Sequence, residues 1–332
     1  MPSIEYSIII PTYNSRNTII PLLDSLSRQE GSDYEVIIVD DNSTDGTPEL
    51  VSGYPCRVFA LDKNRGAAYA RNYGAGQAVG RTLIFFDSDV ILHDDVMRHF
   101  RERLAQGGVD VLIGMYSGEP ANRGFIPEYK AIQEEAWYAR IPADKATPFT
   151  PYVGAINKGL FLGLGGFDVK YKDADVEDYE FTIKLMKKVP NIYLDKAIKV
   201  KHHFPGLNKL VRSYFRRCFL WTEVFLEKKV FETNGTTGRQ GLLNIAYALS
   251  VLLFLVSIAF RPLAYAGLVM LLTALYLDRD FLSLLLGRKG ILFTVCSVIL
   301  NIALSFIVVS AAATGFIYYG IRALVNRRRH NA

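Results

Sequence analysis

Cysteine is scarce: Cys56, Cys218 and Cys296 are the only three in 332 residues. Odd in number and far apart, they exclude a disulfide framework and the paired spacings of zinc and redox motifs, and they fit a reducing compartment. No Gly-x-x-x-x-Gly-Lys-Ser/Thr occurs, which removes the P-loop NTPases. The opening MPSIEYSIII has an acidic residue, no basic start and only a short apolar run before Pro11. It does not read as a secretory signal, so the first 240 residues are expected in the cytoplasm. Charge is missing next. It is absent from Gly241 to Phe260, 20 positions, from Pro262 to Leu277, 16 positions, and from Ile291 to Ile321, 31 positions. A bilayer crossing takes roughly 20 apolar residues. The first and last runs suffice and the middle one is borderline, so two or three transmembrane helices are expected within 241–325.

The charge that is present is unevenly spread. Residues 201–240 hold eight Lys or Arg against three Glu, a balance of +5 that equals the net charge of the whole chain. There the cations alternate with Leu210, Tyr214, Phe215, Phe219, Trp221 and Phe225. Such a mixture, abutting apolar spans, is expected of amphipathic helices lying in an anionic membrane surface, here 206–240, rather than of a nucleic-acid patch. The C-terminal IRALVNRRRH is also basic. The positive-inside rule puts both basic segments in the cytoplasm, which needs an even number of crossings, whereas three apolar segments are odd unless one is re-entrant or interfacial.

Residues 1–205 alternate short apolar runs with helical stretches. The runs at 6–10, 35–39, 57–61, 82–86 and 109–115 read as buried strands. Helices are expected over 18–28, 66–79 and 94–105. This is an α/β layer with a Rossmann-like, mostly parallel sheet, in which ligands bind beyond the carboxyl ends of the strands. Polar residues stand at those ends: PTYN (11–14), DDNSTDGT (40–47) and DSD (87–89). Asp87 and Asp89, flanking Ser88, can present carboxylates to one hard divalent cation. GAGQAVG (74–80) differs in length from a dinucleotide fingerprint and follows a helical stretch, so it reads as a helix end and turn. Further on, Asp175, Glu177 and Asp178 either start a helix or supply a general base at its mouth.

Taken in order, SIIIPTYN, VIIVDDNSTDGT, NRGAAYARNYG (64–74), FFDSD, GAINKGLFLGLGGFD (154–168) and EDYEF (177–181) resemble the motif set of family 2 glycosyltransferases of the GT-A fold, over about residues 5–230. The resemblance implies an inverting enzyme that uses Mg2+ or Mn2+ and a UDP- or GDP-sugar. It implies a base contact from Asp40 or Asp41, with Pro11, Thr12 and Tyr13 packed around the nucleotide and Asn64, Arg71 and Ser88 in the same nucleotide site. Asp87 is matched to the ribose or sugar and to the metal, Asp89 to the metal, Asp178 to the general base and Glu177 to its acidic neighbour. Many relatives have a histidine near the metal, and of His202 and His203 the former fits that spacing better. FRRCFLW (215–221) lacks the glutamine of processive members, which favours a single transfer.

The acceptor implied is a hydroxyl of a glycan or lipid-linked glycan, at an integral membrane protein whose catalytic domain faces the cytoplasm. A base is useful for a hydroxyl and less needed for a phosphate, so a polyprenyl-phosphate sugar synthase is the alternative. An inactive nucleotide-sugar sensor is the minor one. A sugar nucleotidyltransferase is disfavoured, because no GxGTR-type signature stands near the start.

Overall fold

The computed structural model describes residues 4–144, 148–170, 177–189, 191–228 and 236–330. The chain forms two compact units, Met1–Phe204 and Pro205–Ala332.

In the first unit eight strands make one sheet: β1 (Tyr6–Thr12), β2 (Tyr34–Asp40), β3 (Arg57–Ala60), β4 (Thr82–Phe86), β5 (Val90–Leu92), β6 (Val111–Tyr116), β7 (Val153–Asn157) and β8 (Tyr193–His202). Their order is β3-β2-β1-β4-β7-β6-β8-β5. The pairs β1–β2, β2–β3, β1–β4 and β6–β8 are parallel; β4–β7, β6–β7 and β5–β8 are antiparallel. The helices of this unit are α1 (Ile19–Ser27), α2 (Thr47–Val51), α3 (Ala67–Gln77), α4 (Val96–Ala105), α5 (Phe125–Ala139), α6 (Lys158–Gly163) and α7 (Glu177–Leu185).

The unbroken apolar runs follow from cores on both faces. All seven residues of β1 are buried, and alternate side chains serve opposite layers. Ile8 and Ile10 join α1 and α4 through Leu22, Leu26, Met97 and Phe100. Ile9 joins α3, α6 and α7 through Ala70, Phe161 and Phe181. Glycine lets α3 lie close to the sheet: a Cβ on Gly74 would come within 2.7 Å of Ile9 Cγ2. The expected strands and helices appear with ends moved by a few residues. β5, β7, α2, α5 and α6 were not foreseen.

Because β1, β2 and β4 are parallel, their carboxyl ends share a rim. Two antiparallel steps, β4 to β7 and β7 to β6, restore the direction, so β6 and its parallel partner β8 end on that rim too. His202, the last residue of β8, is thereby brought beside the loop after β4.

The second unit is helical: α8 (Leu207–Lys228), α9 (Thr236–Val256), α10 (Leu263–Leu277) and α11 (Arg279–His330). α11 is broken at Gly290, whose φ of 79° is not helical. Gly238–Val256 and Arg279–Arg322 are apolar and long enough to cross a membrane, and Leu263–Leu277 is shorter. The break at Gly290 divides the second of these, leaving Ile291–Ile321 as its uncharged part. The basic segment forms one helix, α8, through residue 228. It packs on α11 through Phe219 against Tyr318 and Tyr319, and Phe225 against Phe316.

Candidate active site

The rim begins with two loops that zip together. Asn14 (φ 51°) and Asn42 (φ 65°) take the left-handed conformation that asparagine tolerates better than most residues. Asn14 donates its backbone N–H to Ser43 Oγ at 2.9 Å, and its Oδ1 accepts from Thr44 N at 2.9 Å. Behind them, Asp40 is buried with both oxygens engaged. Its Oδ2 accepts from Ser43 N at 2.9 Å, and Oδ1 accepts from the hydroxyls of Ser43 and Thr12. Asp41 accepts from Arg65 N and Gly66 N, each at 2.7 Å, at the amino end of α3. An anion is favoured there, and each carboxylate oxygen keeps a second lone pair for another donor. Burial, with the charge of Asp40 adding to it, lifts the Asp41 carboxyl above its ordinary value against the pull of those amides.

An open cleft of about 200 Å3 lies on this rim, lined by Pro11, Thr12, Tyr13, Asp41, Ala67, Ala70, Arg71, Asp87, Ser88 and Asp89. Of the two aspartates at the carboxyl end of β2, it is Asp41 that lines the cleft. Tyr13, the most open of the ring-bearing residues here, is 51% exposed. Asn64 is also exposed, on the loop before α3, and lies outside the lining. Ser88 Oγ meets Ser15 Oγ at 2.7 Å, a contact between the β1 and β4 loops that motif reasoning did not include.

Arg71 reaches the cleft from α3 and is itself buried. One guanidinium nitrogen donates to Asp87 Oδ1 at 2.6 Å and another to Glu177 Oε1 at 3.2 Å. Burial pushes the Asp87 carboxyl up, the like charge of Asp89 adds to that, and Arg71 offsets part of it. Burial also acts on Asp89, but there the His202 imidazole prevails and holds the carboxyl below its usual value. His202 Nε2 stands 3.3 Å from Asp89 Oδ2. Its ring contacts Tyr116, at 4.7 Å between centroids, and Phe204, at 4.5 Å, which also meet each other at 5.6 Å, while Tyr152 stacks on Tyr116 at 3.9 Å. His203 donates its backbone N–H to Asp89 O at 2.9 Å, and its side chain is exposed. Motif spacing named His202 but not the aromatic stack, which depends on contacts between β6, β7 and β8.

Glu177 and Asp178 open α7. Glu177 is buried against Arg71, whereas Asp178 is half-buried and accepts from Tyr179 N at 2.9 Å. Neither lines the cleft. Asp175 lies outside the described residues.

Among the described residues, no group of three His, Cys, Asp or Glu converges on one point. A hard divalent ion that keeps its waters and substrate phosphates needs only one or two protein carboxylates. Asp89 with Asp87, and His202 beside them, fit Mg2+ or Mn2+ held in that manner.

Residues 7–161 match the model of Glycosyl transferase family 2. The succinoglycan biosynthesis protein ExoO of Rhizobium meliloti is 39% identical over 112 residues, 33% of this chain and 32% of that protein. An uncharacterized glycosyltransferase of Haemophilus influenzae is 32% identical over 185 residues, 55% of this chain and 62% of that one. The chain thus covers less than two thirds of either relative. Among solved structures, the mannosyltransferase PcManGT of Pyrobaculum calidifontis, in complex with GDP-Man and Mn2+, superposes with a TM-score of 0.57 over 95% of this chain and 89% of that one. At 18% identity this speaks to the fold alone. Sheet and motifs agree with these matches: the N-terminal unit has the GT-A fold, and within it residues 7–161, just under half of the chain, are similar to the family 2 glycosyltransferases.

Proposed function

We propose that the protein transfers one sugar from a UDP- or GDP-sugar to a hydroxyl of a glycan or lipid-linked glycan, inverting the anomeric carbon, at a membrane surface. The observation that carries this reading is the meeting of Asp41, Asp87 and Asp89 in one cleft, to which Arg71 ties the amino end of α7. In this reading Asp41 accepts an N–H of the nucleobase, with Pro11, Thr12 and Tyr13 beside the ring, and Asp87 and Ser88 face the ribose and sugar. Asn64, exposed on the loop before α3, would reach the nucleotide from outside the cleft lining.

Asp178 takes the proton of the acceptor hydroxyl. The acceptor oxygen bonds to the anomeric carbon as the bond to the diphosphate oxygen breaks, and the nucleoside diphosphate leaves with that electron pair. Mg2+ or Mn2+, held by Asp89 with Asp87 and His202 nearby, would neutralise the leaving diphosphate. A base is useful for a hydroxyl and superfluous for a phosphate, which is already an anion. The acidic pair at α7 therefore supports a hydroxyl acceptor over a polyprenyl phosphate.

The second unit supports action at a membrane. Residues 1–205 would be the cytoplasmic catalytic domain, 206–240 the membrane-interface segment, and 241–325 the integral membrane part. α8 pairs aromatic residues with cations and packs on α11, and the apolar side chains of α9 and Ile291–Ile321 lie largely exposed.

The test is nucleotide release by the detergent-solubilised protein with Mn2+ and a panel of UDP-, GDP- and dTDP-sugars, with and without membrane lipid extract. Release from one donor that needs both metal and extract is expected, with Asp178→Asn lowering kcat about 10²- to 10⁴-fold. Full activity of Asp178→Asn would overturn the assignment of the base. A sugar monophosphate on polyprenol, in place of an extended glycan, would reverse the choice of acceptor.

A further inference from the structure

We propose that Arg71 and Asn72, adjacent on α3, form a positioning pair that seats the amino end of α7 on the donor rim, with Glu177 as the anchor of Asp178 and not as an acid or base. The proposal deepens the reading above and rests on it. Glu177 is 3% exposed and gives an oxygen to Arg71, so its carboxylate is directed into the protein. Arg71 forks between that carboxylate and Asp87, joining residues 16 and 106 positions away in sequence. Asn72 grips the next segment from the same turn. Its Nδ2 donates to Phe167 O at 2.8 Å, and its Oδ1 accepts from Phe167 N at 2.9 Å. That grip depends on glycine. A Cβ on Gly166, at φ +66°, would lie 2.4 Å from Asn72 Oδ1. The Phe167 ring then packs on Phe181 of α7 at 4.9 Å and lies under the Arg71 guanidinium at 5.7 Å. One turn of α3 thus holds the β4 loop, the segment before α7 and α7 itself, and Asp178 follows Glu177 directly.

The experiment compares Glu177→Gln, Asn72→Ala and Asp178→Asn with the wild type, in sugar transfer, in donor affinity by calorimetry, and in the pH profile of kcat. A misplaced base costs about 10- to 100-fold in rate. Glu177→Gln and Asn72→Ala are expected to lower kcat by that factor, with donor affinity within about twofold and the acid limb of the profile unmoved. Unchanged kcat in both, or an acid limb displaced by Glu177→Gln, overturns the proposal. Should Glu177→Gln not fold, Asn72→Ala decides alone. An active Asp178→Asn would instead strike the reading of the base, and is told apart by that.

A separate observation concerns the second unit. If it lies in a membrane, as proposed, we infer that α10 and Arg279–Lys289 form a re-entrant hairpin between two full crossings. α10 runs antiparallel to α9: Gly267 abuts Ser250 and Phe254, and Ala274 clusters with Leu243 and Tyr247. The broken helix returns antiparallel to α9 as well, since Asn301 meets Asp278, which also receives Tyr247 OH, and Ser305 meets Asn244. Asn301 therefore sits beside Asp278, whereas Ile291, ten residues earlier, lies about 15 Å back toward the far end of α9. The eleven residues Arg279–Lys289 are helical, reach about 16 Å, and cover that return. The hairpin tip is polar and buried, with Asp278 held by Asn301 Nδ2 at 2.9 Å. Two crossings leave α8 and the C-terminal RRRH on one face, which accommodates both basic segments.

Single cysteines at Asn208, Arg261 and Lys289, in a background without Cys56, Cys218 and Cys296, would be labelled with an impermeant maleimide in sealed vesicles of known orientation. Lys289→Cys reacting from the face of Arg261→Cys is the expected result. Reaction from the face of Asn208→Cys would mean three crossings and overturn the hairpin.

Discussion

Two pairs of aspartates stand on the same rim and are held in different ways. Asp40 and Asp41, at the carboxyl end of β2, rest on fixed donors: the amides of Ser43, Arg65 and Gly66 and the hydroxyls of Thr12 and Ser43. Asp87 and Asp89, after β4, lean on the charged or ionisable side chains of Arg71 and His202. A backbone amide belongs to the fold and cannot be exchanged. A side chain that balances charge can give way to another cation or turn toward a phosphate. The first pair is therefore held for shape and the second is open to a change of charge, which suits the diphosphate leaving group of the proposed transfer.

The contrast is broken most severely at Asp89. Replacing it with alanine removes a carboxylate exposed enough to leave packing intact, so kcat is expected to fall about 10²- to 10³-fold while the thermal midpoint hardly moves. Asp40→Asn should do the reverse. It sets an amide nitrogen against the donors of Ser43 and Thr12 at a buried position, which costs ~1–3 kcal/mol, or roughly 2–12 °C in midpoint. Its kcat per folded molecule should stay within about tenfold of the wild type. Scanning fluorimetry and nucleotide release on the same preparations check both. An inactive but stable Asp40→Asn would exchange the roles of the two pairs.

Those pairs were legible in the sequence because each follows an unbroken apolar run, and a run buried on both faces ends where its ligand-facing loop begins. The strand ends, the Asp-Ser-Asp turn and His202 were all visible in that way. The Arg71 fork was not, since a single residue within a helical stretch gives no sign that it will join Asp87 to Glu177 across three elements. α5 was missed because Lys130, Gln133 and Glu134 interrupt its apolar face. Their polar groups are satisfied along the helix itself, Lys130 donating to both neighbours at 2.8 Å. β7 was hidden because GAIN (154–157) reads equally as part of the acceptor-side motif, and its antiparallel direction is set by its neighbours in the sheet. Gly290 was one glycine among many until its positive φ divided the last helix.

The smallest expected effect separates the pairs by pH. Burial raises the folded-state pKa of Asp41 above 3.8, whereas the unfolded chain keeps the ordinary value. The folded form thus retains its proton to higher pH, and by linkage the stability owed to this group is fully present below pH 3.8 and is lost as pH rises through the shifted value. In Asp41→Asn the group no longer titrates. The midpoint of the wild type relative to that variant is therefore expected to fall as pH is raised from about 3.5 to 6. A difference that stays flat would mean that the amides of Arg65 and Gly66 cancel the effect of burial. A difference that grows would mean that they exceed it, and Asp41 would then be a carboxylate that the fold prefers ionised, as His202 prefers Asp89.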